Sequence, residues 1–570
     1  MQRTILALIL STALIAVGFF VSPSSADLTA DGTEVLSSNQ RKKDDSNRRW
    51  KDHKNSTTST TVAETTTTTE HDHDTTTTTQ AGDDTTTSTE APPPTGDCVL
   101  SGHVNGFTVA ADQTCEVDGL VTSDANVIVE GTLVMRPGDT LRFVDVNNSK
   151  FVGGGMDPVA SDVGLWVVGA GVLDAQGTAK EPWAYSWQSS WSSADDIVAA
   201  PHTELDFTTF KDVNSAADIP GKNKYGYNTE ILNLSRDVKI EGTSGGYAHV
   251  FIHSTKQSTI KYVELRYLGV QINGNDASGR YALHLHHNMN ATNGMKIEGV
   301  VARNIGNHAF VPHASHGITL SGTIAYDVVE EAYWWDPASP DLAKGASDPN
   351  ATNNLTIYRA VAAKVHNDGE GRGSAFYLGS SGTNVKITDS VAVGVYSTGG
   401  KSFDISGFRW PGTGRTNWVF EDNIAHNNQG HGTFVWQNTG TRHVITRFDS
   451  YFNGKFGIVH GAYRNPYSYN DIQLWGNRQG AIEHHANGKP ASSTGESQDW
   501  TNVEGDGMWL ISHHGLGPEA PVTVTNVTLP ELVVSEGPGN GSWFIFENAD
   551  FGSIDLSGAN PTTIITGLAQ

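Results

Sequence analysis

The chain has little that would point to a cytosolic, nucleotide-using or helical protein. Only two of its 570 residues are cysteine, Cys98 and Cys115. They are too few for a cysteine-based zinc cage, and no Cys-x-x-Cys pair exists. Charged residues are 17% of the chain, against a usual share of about 25%. Basic residues are the scarcer sign, with 37 Lys and Arg against 62 Asp and Glu, for a net charge of −25. A shortage of base argues against a nucleic-acid partner, whose binders show basic faces. It also argues against a polyanionic substrate unless a local cleft overrides the global field. Heptads rich in Ala, Glu, Lys, Leu and Arg are missing, which excludes a coiled coil or helical repeat. The lack of a phosphate-binding loop and of a Gly-x-Ser-x-Gly elbow removes nucleotide-dependent and serine-hydrolase readings.

One apolar run is present. Ile5 to Val21 follows Arg3, the sole charge before Asp27, and precedes the small residues Ser24, Ser25 and Ala26. This pattern predicts a signal peptide over residues 1–26. Its removal would leave no membrane span, because no later apolar run has the length to cross a bilayer. The expected location is therefore extracellular or at the cell surface, an oxidising setting in which Cys98 and Cys115 are expected to pair.

Residues 27–96 are polar. A basic cluster (Arg41, Lys42, Lys43, Arg48, Arg49, Lys51) gives way to residues 55–96, where 19 of 42 positions are Thr and no Lys or Arg occurs. Such a segment buries too little surface to offset its chain entropy, and it is expected to be a disordered stalk, with His71 to Asp74 a solvated tract.

From residue 97 onward the texture changes. Short apolar segments such as Val127–Val129 and Leu165–Val168 end in Gly or polar corners, and glycine totals 61. A loose repeat of paired short strands starts anew every 22 to 37 residues, as at 294–311, 316–335, 383–400, 417–436 and 443–461. Short strands recurring at such a period mark a solenoid, whose turns bury their apolar faces by stacking. The fold class expected is all-β: a right-handed parallel β-helix over 231–570, preceded by a β-rich domain over 97–230. A β-propeller is the second choice, weakened by the absence of a constant blade period.

The densest chemistry lies in residues 280–336. Alternate side chains of a strand share a face. In Leu283-His284-Leu285-His286 the leucines are expected to face the core and the histidines to face out. By the same parity Phe310 and Pro312 point in while Val311 and His313 point out; Tyr333 and Trp335 point in while Trp334 and Asp336 point out. His286 to His313 is 27 residues and His313 to Asp336 is 23, each suited to one turn. With rungs about 4.8 Å apart, His284, His286, His313 and Asp336 are expected to converge on one exposed face. Three imidazoles and a carboxylate suit one divalent transition metal, Zn, Mn, Fe, Ni or Cu, rather than Mg or Ca. The plain alternative is a ladder of surface histidines.

The same residues carry a family resemblance. Gly279-Arg280-Tyr281-Ala282-Leu283-His284-Leu285-His286 resembles the Gly-Arg-Tyr-x-x-His-x-His motif of the cell-migration-inducing and hyaluronan-binding protein family, which includes transmembrane hyaluronidase-like proteins. Residues 127–184 resemble that family's eight-glycine (G8) domain, Leu234 to Ile240 the start of its β-helix, and His313 to Gly317 a His-Gly-Thr-x-Gly segment. Glu331 stands where that pattern has His, and Asp336 where it has Glu. The resemblance implies a secreted β-helix protein that binds or cleaves an extracellular polysaccharide. In that reading Asp336, Glu330 and Arg280 are the catalytic candidates. Arg280 and Trp334 contact substrate, with Arg280 gripping a uronate as a bidentate partner.

Other signals are weaker. Glu330 and Asp336 share a face only if the strand between them is continuous. Asp368 to Arg372 reads as a turn. His484-His485 and His513-His514 read as surface pairs, and Trp183, Trp187 and Trp191 as a cap on a solenoid end. Two functions remain: a metal-assisted glycan depolymerase, and a non-catalytic carbohydrate-binding or adhesive surface protein.

Overall fold

The computed structural model describes residues 96–272, 275–334, 351–367, 373–377, 382–398, 405–410, 418–435, 442–463, 466–486, 498–513, 521–536 and 541–568. Residues 1–26, read above as a signal peptide, nearly all of residues 27–96, read as a stalk, Trp335, Asp336 and residues 368–372, read as a turn, lie outside them.

Among the described residues thirty-seven strands join one sheet, and their pairings are parallel throughout. In mid-molecule each turn supplies three short strands. Lys296–Glu298, Val301–Ile305 and Phe310–Ser315 lie beneath Thr319–Ser321, Ile324–Val329 and Tyr333–Trp334. Parallel pairing between successive turns is the signature of a β-helix and excludes a propeller, whose blades are antiparallel.

The core follows from the alternation of the sequence. Ile297, Leu320, Ile357, Ile387, Phe420 and Ile445 form one inward column, each opposite the next. Phe310, Tyr333, Phe376 and Phe408 form another, with stacked rings 5.1, 4.4 and 4.7 Å apart. Each buried side chain of this size contributes about 1.5–3 kcal/mol. Polar residues that enter the interior are paired rung to rung: the Asn428 amide donates to Asn453 at 2.9 Å and Asn453 to Asn477 at 2.8 Å. One corner of every turn is made by a single residue with left-handed backbone, as at Asp389 (φ 52°), Asp422 (φ 56°) and Asn526 (φ 57°), residue types that tolerate that region.

Cys98 and Cys115 face each other on paired strands and form the expected disulfide. In the chain-entropy model a loop of this length contributes about 3 kcal/mol.

Two expectations are corrected. The strands of residues 98–176 pair into the same sheet as the later turns, Val250 opposite Leu165 and Lys239 opposite Thr140, and the described residues from 96 onward form one unit. The β-helix therefore begins near residue 98, and no boundary in the sheet falls at 230. The tryptophans do not cap a solenoid end. They belong to an insertion carrying an antiparallel four-stranded sheet of Trp183–Ala184, Ile197–Ala199, Lys211–Asp212 and Ile231–Asn233. Trp183, Val198, Leu232 and Leu234 pack on the outward residues Val301, Ile324, Val361 and Val391, so the insertion lies on the flank of the solenoid. Trp191, edge-on to Trp187, packs within the insertion.

Candidate metal centre

The strand Leu283–Met289 pairs with Phe310–Ser315, which sets Leu283 opposite Phe310 and His286 opposite His313. The 27-residue step is thus one turn. Leu283, Leu285, Phe310 and Tyr333 enter the core, and His284, His286 and His313 share the other face. Their ligand atoms all lie within 4.8 Å of one another. His284 Nε2 is 3.2 Å from His286 Nδ1 and 3.4 Å from His313 Nδ1. His284 Nδ1 sits 2.9 Å from the Gly279 carbonyl, a bond that fixes the ring and directs the Nε2 lone pair toward the other two.

This face is not exposed, contrary to the parity reading. His284 is fully buried, and His286 and His313 are each 5% exposed. The reason lies on the preceding turns. Trp166, Phe251 and His284 form one outward column, so aromatic rings wall the cluster on one side. Tyr281 closes another, and half-buried His287 stands against His286 and His313. Burial, reinforced by neighbouring His284, His313, His287 and His253, pushes His286 far below the usual imidazole range, so it is neutral. Neutral imidazole is the ligating form.

Arg280 does not face solvent. Its Nε donates to Asp162 at 2.8 Å, its Nη1 to the Gly155 carbonyl at 3.1 Å, and its guanidinium lies 4.5 Å from the Trp166 ring centre. Both partners of the Arg280–Asp162 pair are fully buried. Asp162 also accepts from the backbone of Val152 and Gly153 and from Ser161. Arg280 therefore braces the loop before Trp166 against the histidine strand, and its charge is already matched. Nothing local in the sequence pairs residues 118 apart.

The remaining candidates are scattered. The strand Ile324–Val329 ends before Glu330, whose backbone is left-handed (φ 68°) and whose N–H donates to the His366 carbonyl at 2.9 Å. The continuous strand required to align Glu330 with Asp336 does not exist, and Asp336 lies outside the described residues. Trp334 is half-buried and stacks on His308 at 3.9 Å. Glu331 lies on the same histidine, its carboxylate 3.5 Å from His308 Nδ1. His484, read from sequence as surface, is fully buried in the late turns between Trp500 and Trp509 and bonds Gln498 at 2.8 Å. His485 is half-buried, 3.1 Å from Glu483. Sequence reading missed Phe251, Asp162 and His253, whose Nδ1 lies 2.8 Å from the His286 carbonyl. Phe251 and His253 alternate on their strand as His284 and His286 do on theirs, and that was the available signal.

No helix among the described residues is long and apolar enough to cross a membrane. No protein-family model matches the chain, and no curated protein does. Among solved structures it is similar to the A-module of a mannuronan C-5 epimerase from Azotobacter vinelandii, at 11% identity and a TM-score of 0.23, over 83% of this chain and 88% of that one. At that score the likeness is too slight to add to the fold read from the strand pairings.

Proposed function

We propose that the chain is an exported β-helix protein that acts on an extracellular polysaccharide and carries one divalent transition metal (Zn, Mn, Fe, Ni or Cu) on His284, His286 and His313. The observation that carries this reading is the convergence of three buried imidazoles from two adjacent turns, with ligand atoms within 4.8 Å. Three protein nitrogens leave a tetrahedral ion one further position, as in catalytic zinc sites. Asp336, one 23-residue step beyond His313, is the proposed carboxylate for that shell. A bound ion would polarise a glycosidic or carboxylate oxygen, or activate water. The Gly279 to His286 motif supports a hyaluronan-like substrate, and the apolar segment at 5–21 supports export.

A second reading, a carbohydrate-binding protein whose metal is structural, is favoured by one observation. The cluster is closed over, and Arg280, the expected uronate grip, is spent on Asp162. Both readings are tested on the full chain by elemental analysis and by assay on hyaluronan. Wild type is expected to hold one ion per chain and His284→Ala/His286→Ala none. An ion retained by that double variant removes the ligand assignment, and a metal-free wild type after reconstitution with Zn or Mn removes the metal. Cleavage lost together with the ion identifies the enzyme; glycan binding without cleavage identifies the second reading.

A further inference from the structure

Beneath the insertion, one outward column of the sheet is apolar turn after turn: Val301, Ile324, Val361, Val391, Ile424. It then becomes Asp449 and Gln473. Two residues further along each strand, Ala363 and Val393 give way to His426, Tyr451 and Trp475. The flank thus turns polar while the insertion still covers it. Glu230 of the insertion lies 3.0 Å from His426 Nε2, and both side chains are fully buried. The Tyr451 ring is stacked between His426 and Tyr227, at 4.5 and 4.3 Å. The second Glu230 oxygen and the Tyr451 hydroxyl are buried with no hydrogen-bond partner among the described residues. Buried polar groups left unsatisfied are costly, and they mark this stretch of the flank as one built around more than packing.

On the same columns, at Val391 and Ile424, opens a cleft of about 270 Å³ lined also by Trp183, Tyr185, Arg359, Asp389 and Asp422. Glu230 and Asp449 are near enough to bear on the Tyr185 hydroxyl, and Tyr185 in turn on that of Tyr451. Tyr185 is 40% exposed and rests edge-on against Trp183 at 5.6 Å, a rigid ring offered to the cleft. The basic groups here are committed. Arg359 pairs with Glu181 at 2.7 Å, and Arg447 with Asp422 at 2.6 Å and Glu421 at 3.1 Å. Among the described residues Asp389 and Asp449 make no ion pair, so the surplus charge is negative. Such a cleft repels a uronate and favours a cation, which an aromatic ring also attracts.

We propose that this cleft is a second glycan site, one that takes a pyranose unit bearing a protonated amine. The sugar ring lies on Tyr185, and its ammonium and hydroxyl groups donate to Asp389 and Asp422. The proposal does not rest on the metal reading, because the cleft shares no residue with the histidine cluster.

The test is calorimetric titration of the full-length protein with a β-1,4-glucosamine trimer, cellotriose and a polyuronate trimer. The amino-sugar trimer is expected to bind about tenfold more tightly than cellotriose, the uronate not at all, and the preference to shrink in high salt. Tyr185→Ala and Asp389→Asn, both at exposed positions, are each expected to weaken it about tenfold. His284→Ala/His286→Ala is expected to leave it unchanged, which separates failure of the metal centre from failure of this site. Absence of amino-sugar binding, equal affinity for the uronate, or indifference to both cleft substitutions would overturn the proposal.

Discussion

Two outward faces of one solenoid turn from apolar to polar along their columns, and they differ in which polar groups take over. On one, Trp166 and Phe251 are followed by His284, and the polar residues are imidazoles walled by aromatic rings, with His286 held neutral by burial. On the other, Val391 and Ile424 are followed by Asp449, and the polar residues are carboxylates partly covered by an antiparallel insertion. The first face is closed by an ion pair whose carboxylate also takes two backbone N–H groups and a hydroxyl. The second keeps a carboxylate oxygen and a phenol unsatisfied. On the first face the carboxylate is fully bonded while Arg280 Nη2 and His249 Nδ1 are without a partner among the described residues, so what is open there is on nitrogen. On the second face what is open is on oxygen, which favours a guest that brings its own donors.

The sharpest way to break this contrast is Arg280→Ala. It leaves Asp162 charged and buried without its partner, and the expected loss is about 3–5 kcal/mol in urea unfolding. A loss below about 1 kcal/mol would show that Asp162 reaches water and that the first face is open.

Acid comes next. His286 and His249 are both held below the usual imidazole range, chiefly by burial. Each is neutral when folded and takes a proton near pH 6.5 when unfolded. The stability they confer is therefore complete above about pH 6.5 and is lost as pH falls below it, by about 1.4 kcal/mol per pH unit for each proton taken up on unfolding. A melting temperature that stays level from pH 7 to pH 5 would contradict the burial of these rings.

The second face has the opposite sign. Asp449 is pushed up to about 6 by burial, with Tyr227 pulling it down and Asp422 adding to the rise. Its folded form favours the proton, so stability present below about pH 4 is lost as pH rises through 6. Asp449→Asn is expected to raise stability by about 1–2 kcal/mol at pH 7.5 and to leave it unchanged at pH 4. A loss at pH 7.5 would mean that the charged form is the one the site is built to hold.

The smallest effect is expected away from both faces. Asn526 bonds Asn502 at 2.9 Å and accepts from Asn548 at 2.8 Å on an exposed corner ladder. Asn526→Ala should cost about 0.5–1.5 kcal/mol by thermal unfolding, independent of pH. A pH-dependent cost would show that the corner couples to one of the two faces.

Much of this protein is legible in its sequence. Leu283 and Leu285 alternate with His284 and His286, and that alone assigns the faces. The 27-residue step from His286 to His313 gives a true rung register. The Cys98–Cys115 pairing is readable for a different reason, since the chain has only these two cysteines and the expected setting is oxidising; the structure then sets them on neighbouring strands. A boundary at 230 is misplaced because the insertion, with its antiparallel strands and tryptophans, interrupts the repeat and imitates a separate domain. Glu330 is misplaced because strand parity does not carry across a left-handed residue that ends the strand.

The sequence by itself determined the β-helix, its inward columns and the meeting of three histidines, because period-two alternation and stacking on the adjacent turn are local and nearest-neighbour effects. Only the tertiary structure decided whether those faces meet water. Coverage depends on contacts between distant segments, Arg280 with Asp162 across 118 residues and His426 with Glu230 across 196. No periodicity along the chain encodes such pairs, because each is fixed by where an irregular loop or insertion comes to rest on a regular surface.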